Sequence, residues 1–381
     1  MPLNEWIFWS SVAFLLFVTV CYPLLAAMLG LFRRHQGPAW SGEPGVSLII
    51  TAYNEEKHIK EKLENSLGLN YPKEKLEIIV ASDGSTDRTH DMVNAFRNEG
   101  VKLYAYDRLG KTAIQNESVK KSSGEIIVFS DANAMYRKDA VRKLVANFGD
   151  ERVGCVSGQL VYKKSAENLT GLCESAYWNY EKFIKYRESR ISSLIGVNGS
   201  IYAIRKSDYV EIGNDLISDL VEPLEIVRHG KKVVYEPEAI SEEESSATYR
   251  EEFERKIRIF TRTIHGLFRM KALLNPFQYG IFSIQLWIHK IFRYLMPFAL
   301  LSAALSLIFL TDRFFYYILY CLMITTLIFA MIAKFTEYSD KRNWFFNVIY
   351  YSLTVNFALV LAWLNVLKGK TITIWPTERG S

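Results

Sequence analysis

Four long stretches of this 381-residue sequence lack charged residues entirely, although the chain has 46 Lys and Arg residues and 41 Asp and Glu residues. The uncharged stretches are 6–32, 294–311, 314–333 and 343–367. A helix needs about 20 apolar residues to cross the ~30 Å hydrocarbon core of a membrane. The distribution excludes a wholly soluble chain. It predicts a water-facing central domain between one N-terminal and about three C-terminal membrane spans.

Cysteine is scarce as well. The four cysteines are Cys21, Cys155, Cys173 and Cys321, and none has the spacing of a metal site or of a Cys-x-x-Cys pair. Two of them lie inside uncharged stretches. We therefore expect no disulfide framework, and a reducing compartment suits the central domain.

No basic run with interleaved aromatic residues is present, so the net charge of +5 does not indicate a nucleic-acid partner. No small-residue cleavage site follows the first uncharged stretch, which is also too long for a signal peptide. We interpret it as a retained anchor. Glu5 precedes it and Arg33, Arg34 and His35 follow it, which by the positive-inside rule places the central domain in the cytoplasm.

The sequence thus predicts an integral protein of the cell membrane in five parts. These are an N-terminal transmembrane anchor at 1–36, a cytoplasmic domain at 37–271, an interfacial helix at 272–293, transmembrane helices at 294–368 and a tail at 369–381. The interfacial assignment depends on isoleucines that recur at helical spacing in an apolar segment interrupted by Pro276, Gln278 and Gln285.

Apolar runs typical of buried strands alternate with helical patterns in the central domain. The predicted strands are 46–51, 76–82, 102–106, 125–130 and 154–160, with helices at 55–67, 87–98, 111–122 and 138–147. This alternation predicts an α/β domain with a parallel, doubly wound sheet. Ligands bind such sheets beyond the carboxyl ends of the strands, where this sequence has polar and acidic residues.

Two acidic segments follow predicted strands. Asp83 begins the segment Asp-Gly-Ser-Thr-Asp, which could form only a turn and a helix cap, or could present a carboxylate to a nucleotide's base or ribose. Asp131 and Asn133 could likewise end a strand in a turn. Alternatively they provide two oxygen ligands for Mg²⁺ or Mn²⁺, which proteins usually hold together with substrate phosphates.

Charged residues in three other places each allow two interpretations. Lys111 follows a glycine at a predicted helix start and is either a diphosphate contact or a solvated lysine. Asp219 lies among apolar residues and is either a helix cap or a general base at a cleft. Arg255 and Arg258 lie on the basic side of an amphipathic helix at 249–270, which contacts either lipid headgroups or a diphosphate.

Seven motifs in order resemble those of the family 2 glycosyltransferases. More closely, they resemble the membrane-embedded branch that includes cellulose, hyaluronan and chitin-oligosaccharide synthases and ceramide glucosyltransferase. The motifs are TAYNEE at 51–56, ASDGSTD at 81–87, GK with Asn116 at 110–116, FSDAN at 129–133, GVNGSIYAIR at 196–205, SD at 218–219 and RKIRI at 255–259. The resemblance implies a GT-A-like nucleotide-sugar-binding domain over about residues 45–270.

The resemblance also implies roles for individual residues. It implies donor binding for Tyr53, Glu55, Asp83, Lys111, Asp131, Arg255 and Arg258. It implies an acceptor site at Asn198, Gly199 and Ser200. Asp131 matches the first acid of the family's metal motif, Asn133 stands where the second acid usually is, and Asp219 matches the catalytic base. Ile259 stands where processive members commonly carry Trp.

These inferences predict a membrane-integral, inverting and metal-dependent hexosyltransferase that moves a sugar from a UDP-linked donor to a growing polysaccharide. The expected cofactor is Mg²⁺ or Mn²⁺. The expected partners are the nucleotide sugar, a glycan or lipid acceptor, membrane lipids, and a second copy or an accessory subunit. Two alternatives stay open: transfer of a single sugar to a lipid, and a nucleotide-sugar-binding membrane protein without catalysis.

Overall fold

The computed structural model describes residues 2–31, 40, 42–163, 169–244, 249–335 and 344–370. Several features used above lie outside these ranges. They include the basic residues 33–35 that set the predicted orientation, part of the predicted boundary at 36–37, and most of the predicted tail at 369–381.

One mixed eight-stranded sheet forms the centre of the domain, in the order β3-β2-β1-β4-β7-β6-β8-β5. The strands are β1 Val46–Ala52, β2 Leu76–Asp83, β3 Lys102–Tyr106, β4 Ile126–Asp131, β5 Met135–Tyr136, β6 Val153–Lys163, β7 Ile201–Arg205 and β8 Lys232–Glu244. The first four strands pair in parallel, as the alternation predicts. The α/β class is confirmed, and the sheet is mixed rather than fully parallel: β7 and β5 pair antiparallel with their neighbours, while β6 and β8 pair in parallel.

Strand β7 runs antiparallel to β4 and β6. It begins opposite the end of β4, with Ser130 paired to Ile201. The residues just before β7 therefore lie at the same sheet edge as the residues just after β4. This pairing brings a segment from the second half of the domain to the carboxyl ends of the parallel strands.

Both faces of the sheet are covered, which explains the continuous apolar runs of its central strands. Successive side chains of a strand point to opposite faces. Leu48 and Ile50 accordingly belong to one core, with Val80 and Val128. Ile49 belongs to the other core.

Seven helices accompany the sheet. They are α3 Ile59–Leu67, α4 Thr89–Asn94, α5 Lys111–Lys121, α6 Ala140–Ala146, α7 Leu169–Ile191, α8 Ser218–Arg228 and α9 Tyr249–Arg269. Helices α3 and α4 begin later than predicted, because the residues before them form loops. Asn54 (φ 51°) and Gly84 (φ 71°) begin these loops, and residues 55–58 and 85–88, predicted in part as helix, are turns or irregular.

Within the described ranges, four helices are long and apolar enough to cross a membrane: Leu3–Leu31, Ile281–Ile308, Phe314–Lys334 and Val348–Leu367. The first comprises α1 Leu3–Leu16, a π-helical turn Phe17–Cys21 and α2 Tyr22–Leu31. The second comprises α11 Ile281–Leu286, a π-helical turn Trp287–Phe292 and α12 Arg293–Ile308, and it follows the short α10 Pro276–Tyr279. The others are α13 Phe314–Phe335 and α14 Trp344–Leu367. One N-terminal and three C-terminal spans are thus as predicted.

The predicted interfacial helix at 272–293 does not end at residue 293. Its second half continues without a break into the second span, and the chain instead turns at Gly280, whose φ is 57°. Two basic residues near this boundary are held by the domain: Arg293 Nη1 lies 2.5 Å from Glu181 Oε1, and His289 Nε2 lies 3.2 Å from Glu181 Oε2. A charge paired in this way does not have to end an apolar helix.

Candidate active site

The loops after β1 and β2 are joined by hydrogen bonds. Asn54 N donates to Ser85 Oγ (3.1 Å), and Thr86 N donates to Asn54 Oδ1 (2.8 Å). Glu55 is buried in this junction and its backbone N donates to Thr89 Oγ1 (2.9 Å). The two loops therefore form one rigid rim at the carboxyl edge of the sheet.

Asp83, at the end of β2, holds the loop that follows β3. Its Oδ1 accepts from Leu109 N (2.8 Å) and Gly110 N (2.9 Å), and its Oδ2 accepts from Arg108 Nη1 (2.6 Å). The guanidinium carbon of Arg108 lies 3.2 Å from the ring centroid of Tyr53. Asp83 thus orders the segment that starts helix α5, and Arg108 covers the Tyr53 ring that the sequence assigns to the donor.

Lys111, the first residue of α5, connects three segments of the site. Its Nζ forms an ion pair with Asp131 Oδ1 and lies 3.4 Å from Gly199 O. Asp131 Oδ1 also accepts from Thr51 Oγ1 (3.1 Å). The side chains of Lys111 and Asp131 remain 15% and 29% exposed, so the pair is open to a ligand.

Asp219, the second residue of α8, lies beside Gly199. A Cβ at Gly199 would stand 3.1 Å from Asp219 Oδ2 and 3.6 Å from Lys111 Nζ, so a larger residue here would crowd Asp219. Val197 N donates to Asp219 O (2.8 Å). Four sequence-predicted residues, namely Lys111, Asp131, Gly199 and Asp219, are therefore brought together.

Asp219 lies deep in the cleft but is not fully covered. Burial raises its pKa, and positive charges oppose that rise. Those charges belong to Lys111, Arg262, Lys185 and Lys290. A carboxylate with a raised pKa beside an open cleft has the properties of a general base.

The acidic loop contains oxygen atoms suited to a hard cation. In the part of the chain that the structure describes, Asp131 Oδ2 accepts no hydrogen bond, and Glu243 lies close enough to Asp131 and Ser200 for both to affect its pKa. Burial and the neighbouring charge of Asp131 raise the pKa of Glu243. The described residues contain no group of three or more His, Cys, Asp and Glu side chains arranged for a metal. Asp131 and Glu243 fit a cation that takes its remaining ligands from substrate phosphates, as Mg²⁺ does.

Helix α9 passes along the whole site. Arg255 pairs with Glu252 (Nε to Oε2, 2.7 Å), and its charge acts on Glu243. Arg262, two turns later, is buried and donates to Leu216 O and to Thr112 Oγ1 (3.3 Å). Among the charges that act most on Asp219, Arg262 is the one contributed by α9.

The predicted acceptor segment is well anchored at its first residue. Asn198 N donates to Ser157 Oγ (3.1 Å), and Asn198 Oδ1 accepts from Lys185 Nζ (2.9 Å). Ser200 O accepts from Tyr136 Oη (2.9 Å). The buried Ser200 Oγ has no hydrogen-bond partner among the described residues.

Lys62 is a residue of the site that the sequence analysis missed. Its Nζ is buried beneath the acidic loop, where it donates to Ala134 O and lies 3.9 Å from the ring centroid of Tyr136. Burial lowers the pKa of Lys62 to about 7. The sequence could have indicated this role, because Lys62 comes three residues after Ile59 and therefore lies on the apolar side of α3.

Glu222 is a second missed residue. It is buried one turn after Asp219 and accepts from Tyr202 Oη (2.9 Å). Burial raises the pKa of Glu222 to about 8, and the charge of Asp219 adds to that rise. The folded protein therefore keeps a proton on Glu222 at neutral pH.

We expect the Glu222 proton to make stability depend on pH. The pKa of an unfolded Glu is about 4.3, so from about pH 4.3 to about pH 8 the folded state binds a proton that the unfolded state does not, and stability falls as pH rises. Glu222→Gln should therefore lose less thermal stability than the wild type across this window. Thermal unfolding of both proteins at several pH values measures the slopes. Glu211→Gln, at an exposed position, is the control; equal slopes for all three proteins would contradict the assignment.

Comparison with known proteins agrees with this geometry. Residues 47–213 match the family model described as "Glycosyl transferase family 2". The chain is 29% identical over 264 residues to the probable glycosyltransferase YdaM of Bacillus subtilis (strain 168), covering 62% of this chain and 61% of that protein. It is 26% identical over 203 residues to poly-beta-1,6-N-acetyl-D-glucosamine synthase of Staphylococcus aureus (strain COL), covering 51% of this chain and 49% of that protein.

The chain thus spans about half to three-fifths of the length of the curated relatives it matches. Among solved structures, the mannosyltransferase PcManGT from Pyrobaculum calidifontis, in complex with GDP-Man and Mn²⁺, has a TM-score of 0.72 and 21% identity. That match covers 97% of this chain and 100% of the other, and it shows the same GT-A-like fold. The chain therefore contains a glycosyl transferase family 2 domain, which the family model places at residues 47–213.

Proposed function

We propose that the protein is a membrane-integral, inverting glycosyltransferase. It moves a sugar from a nucleotide sugar, UDP-linked, to a growing polysaccharide at the membrane. The observation that carries the proposal is the convergence of Lys111, Asp131 and Asp219 on Gly199 at the carboxyl edge of the sheet. This arrangement places a cation, an acid suited to a metal and a candidate base around one open cleft.

The relatives support this reaction class. The Staphylococcus aureus protein is named as a polysaccharide synthase, and the structural neighbour holds a nucleotide sugar with Mn²⁺. With four candidate spans and a domain on the cytoplasmic side, as the sequence predicts, a soluble donor and a membrane-bound acceptor would meet on the same side of the membrane. Transfer of a single sugar to a lipid acceptor remains the alternative product.

The donor's diphosphate would lie between α5 and the acidic loop. Asp131 and Glu243, with Asn133 nearby in sequence, would hold Mg²⁺ or Mn²⁺, which supplies positive charge for the departing diphosphate. Lys111 adds a fixed cation at the start of α5, where the helix N-terminus also favours an anion. Lys111 would give up part of its ion pair with Asp131 and bind the diphosphate instead.

Asp219 would take the proton from the acceptor hydroxyl. The freed oxygen forms a bond to the anomeric carbon while the bond to the diphosphate breaks, and attack from the opposite face inverts that carbon. The raised pKa of Asp219 favours its acceptance of a proton, and the surrounding cations favour its ionised form. Gly199 leaves the space beside Asp219 Oδ2 into which a hydroxyl fits.

A donor screen tests the proposal. The full-length protein in nanodiscs is incubated with Mn²⁺ and individual UDP- and GDP-sugars, and nucleotide release and product mass are measured. We expect release with one UDP-sugar and a ladder of products that differ by one sugar mass. A single added sugar on a lipid would establish the alternative product. Nucleotide binding without release would show a binding protein and contradict the proposal.

A further inference from the structure

Within the described ranges, two lysines at the junction between the domain and the membrane spans form no ion pair. Lys185 lies on α7, and Lys290 lies in the π-helical turn Trp287–Phe292 of the second span. Among the residues that the structure describes, no carboxylate oxygen lies within the 4.0 Å ion-pair distance of either ammonium group. Lys185 Nζ donates a hydrogen bond to the neutral Asn198 Oδ1 (2.9 Å).

The nearby acids are already occupied by other groups. Glu181 binds Arg293 (2.5 Å) and His289 Nε2 (3.2 Å). Glu188 binds His289 Nδ1 (2.8 Å) and Tyr22 Oη. Both carboxylates thus join α7 to the first two spans. Along α7, Glu181 lies before Lys185 and Glu188 lies after it.

The two lysines nevertheless face the candidate base. Lys185 holds Asn198, which immediately precedes the Gly199 that abuts Asp219. The charges of Lys185 and Lys290 both act on Asp219, and they act on each other. Burial lowers the pKa of Lys185 to about 8, so that it is mostly charged at neutral pH. Neither side chain is fully covered, so part of each remains exposed.

We propose that Lys185 and Lys290 form a subsite for an anionic group, a phosphate or phosphodiester, on the acceptor. The inference rests on the proposed function, since it assigns the chemistry of the acceptor whose hydroxyl reaches Asp219. Cations that are partly withdrawn from water and form no ion pair lose part of their hydration, and an anion that joins them offsets this cost. A charged residue within a span usually marks a functional site, and π-helical turns are common at such sites.

The anion has two possible sources, a lipid headgroup or a soluble phosphate. The position of Lys290 within a span, close to the exposed Trp287, places this subsite near the depth of lipid headgroups. Lys111 and Asp131 lie on the other side of Gly199 and serve the donor. The negative charges of the donor and of the acceptor would thus bind to different lysines.

The test uses the full chain in nanodiscs with Mn²⁺ and the donor found by the screen. One arm compares nanodiscs of phosphatidylcholine alone with nanodiscs that also contain phosphatidylglycerol, whose headgroup has both a phosphodiester and hydroxyls. The other arm adds inorganic phosphate to phosphatidylcholine nanodiscs. Nucleotide release and the mass of any glycosylated lipid are measured for the wild type, Lys185→Gln, Lys290→Gln and Lys182→Gln. Lys182, one turn earlier on α7, is the matched control.

We expect one of the two anions to change nucleotide release by about tenfold or more, as loss of a charge-assisted contact of ~1.5 kcal/mol implies. The effect should disappear in Lys185→Gln and Lys290→Gln and persist in Lys182→Gln. A response to phosphatidylglycerol identifies a lipid-borne anion, and a response to inorganic phosphate identifies a soluble one. An unresponsive wild type, or a full response in both lysine variants, would overturn the subsite.

A readout without turnover separates this inference from the proposed function. Inorganic phosphate and phosphatidylglycerol should raise the thermal unfolding midpoint of the wild type but not of Lys185→Gln or Lys290→Gln. UDP with Mn²⁺ should raise the midpoint of all four proteins, because the donor site is intact. Loss of the UDP effect in the wild type would count against the proposed function. Loss of the anion effect alone would count against the subsite.

Discussion

Asp219→Asn should abolish sugar transfer while leaving donor binding intact. General-base catalysis contributes about 10²–10⁴-fold to a rate, and an amide cannot accept the acceptor's proton at neutral pH. Asn has the size of Asp, so the contact with Gly199 and the hydrogen bond from Val197 N to residue 219 should persist. Product formation under saturating donor measures the loss, and UDP binding by calorimetry measures the retained donor site.

The control for this variant is Asp215→Asn. Asp215 lies in the loop just before α8, but its side chain is exposed. We expect this variant to transfer sugar at nearly the wild-type rate. The wild-type rate should also rise with pH beyond the usual range of an Asp, because burial raises the pKa of Asp219 and only its ionised form can take a proton. Near-normal transfer by Asp219→Asn would assign the base to another group.

Asp131→Asn should cause the second large loss of transfer rate, and the size of this loss should depend on the metal concentration. Asp131 is the acid at the end of β4 that pairs with Lys111, and it would hold the cation together with Glu243. Removing one stabiliser of a departing anion costs about 10²–10³-fold in rate. We expect a loss of this size at low Mn²⁺, with part of the activity recovered as Mn²⁺ is raised.

Metal removal provides the matching measurement. EDTA should inactivate the wild type, and excess Mn²⁺ or Mg²⁺ should restore it. Asp139→Asn, with an exposed side chain just before α6, should keep the wild-type dependence on Mn²⁺. Full activity of a metal-stripped wild type, or an unchanged Mn²⁺ dependence in Asp131→Asn, would contradict a metal at this acid.

The secondary structure of the first half of the domain was predictable because its signals are local. The strand at 102–106 and the beginning of the helix at residue 111 agree with the structure to the residue, since apolar alternation and the glycine before Lys111 mark them. The late start of α3 was not predictable from the apolar pattern. Asn54 takes a positive φ because Ser85 and Thr86, about 30 residues away, hold its backbone and side chain.

The candidate site likewise contains some residues that the sequence predicts and others that only the tertiary structure reveals. Lys111, Asp131 and Asp219 were visible because acidic and basic residues follow the strands or stand among apolar residues. Glu243 and Lys290 were not. Glu243 lies at the end of a strand that pairs with β5 and β6, and Lys290 lies in a segment that looked interfacial. Their chemistry depends on partners contributed by elements distant in sequence.

The sequence by itself determined that membrane spans flank an α/β domain with acids at its strand ends, because hydropathy and strand periodicity are properties of neighbouring residues. Only the tertiary structure decided which charges meet. The antiparallel pairing of β7 with β4 brings Gly199 between Lys111 and Asp219. The docking of α7 on the first two spans uses Glu181 and Glu188, and it leaves Lys185 and Lys290 facing the cleft. Burial and charge pairing arise from contacts between distant segments, which no local pattern records.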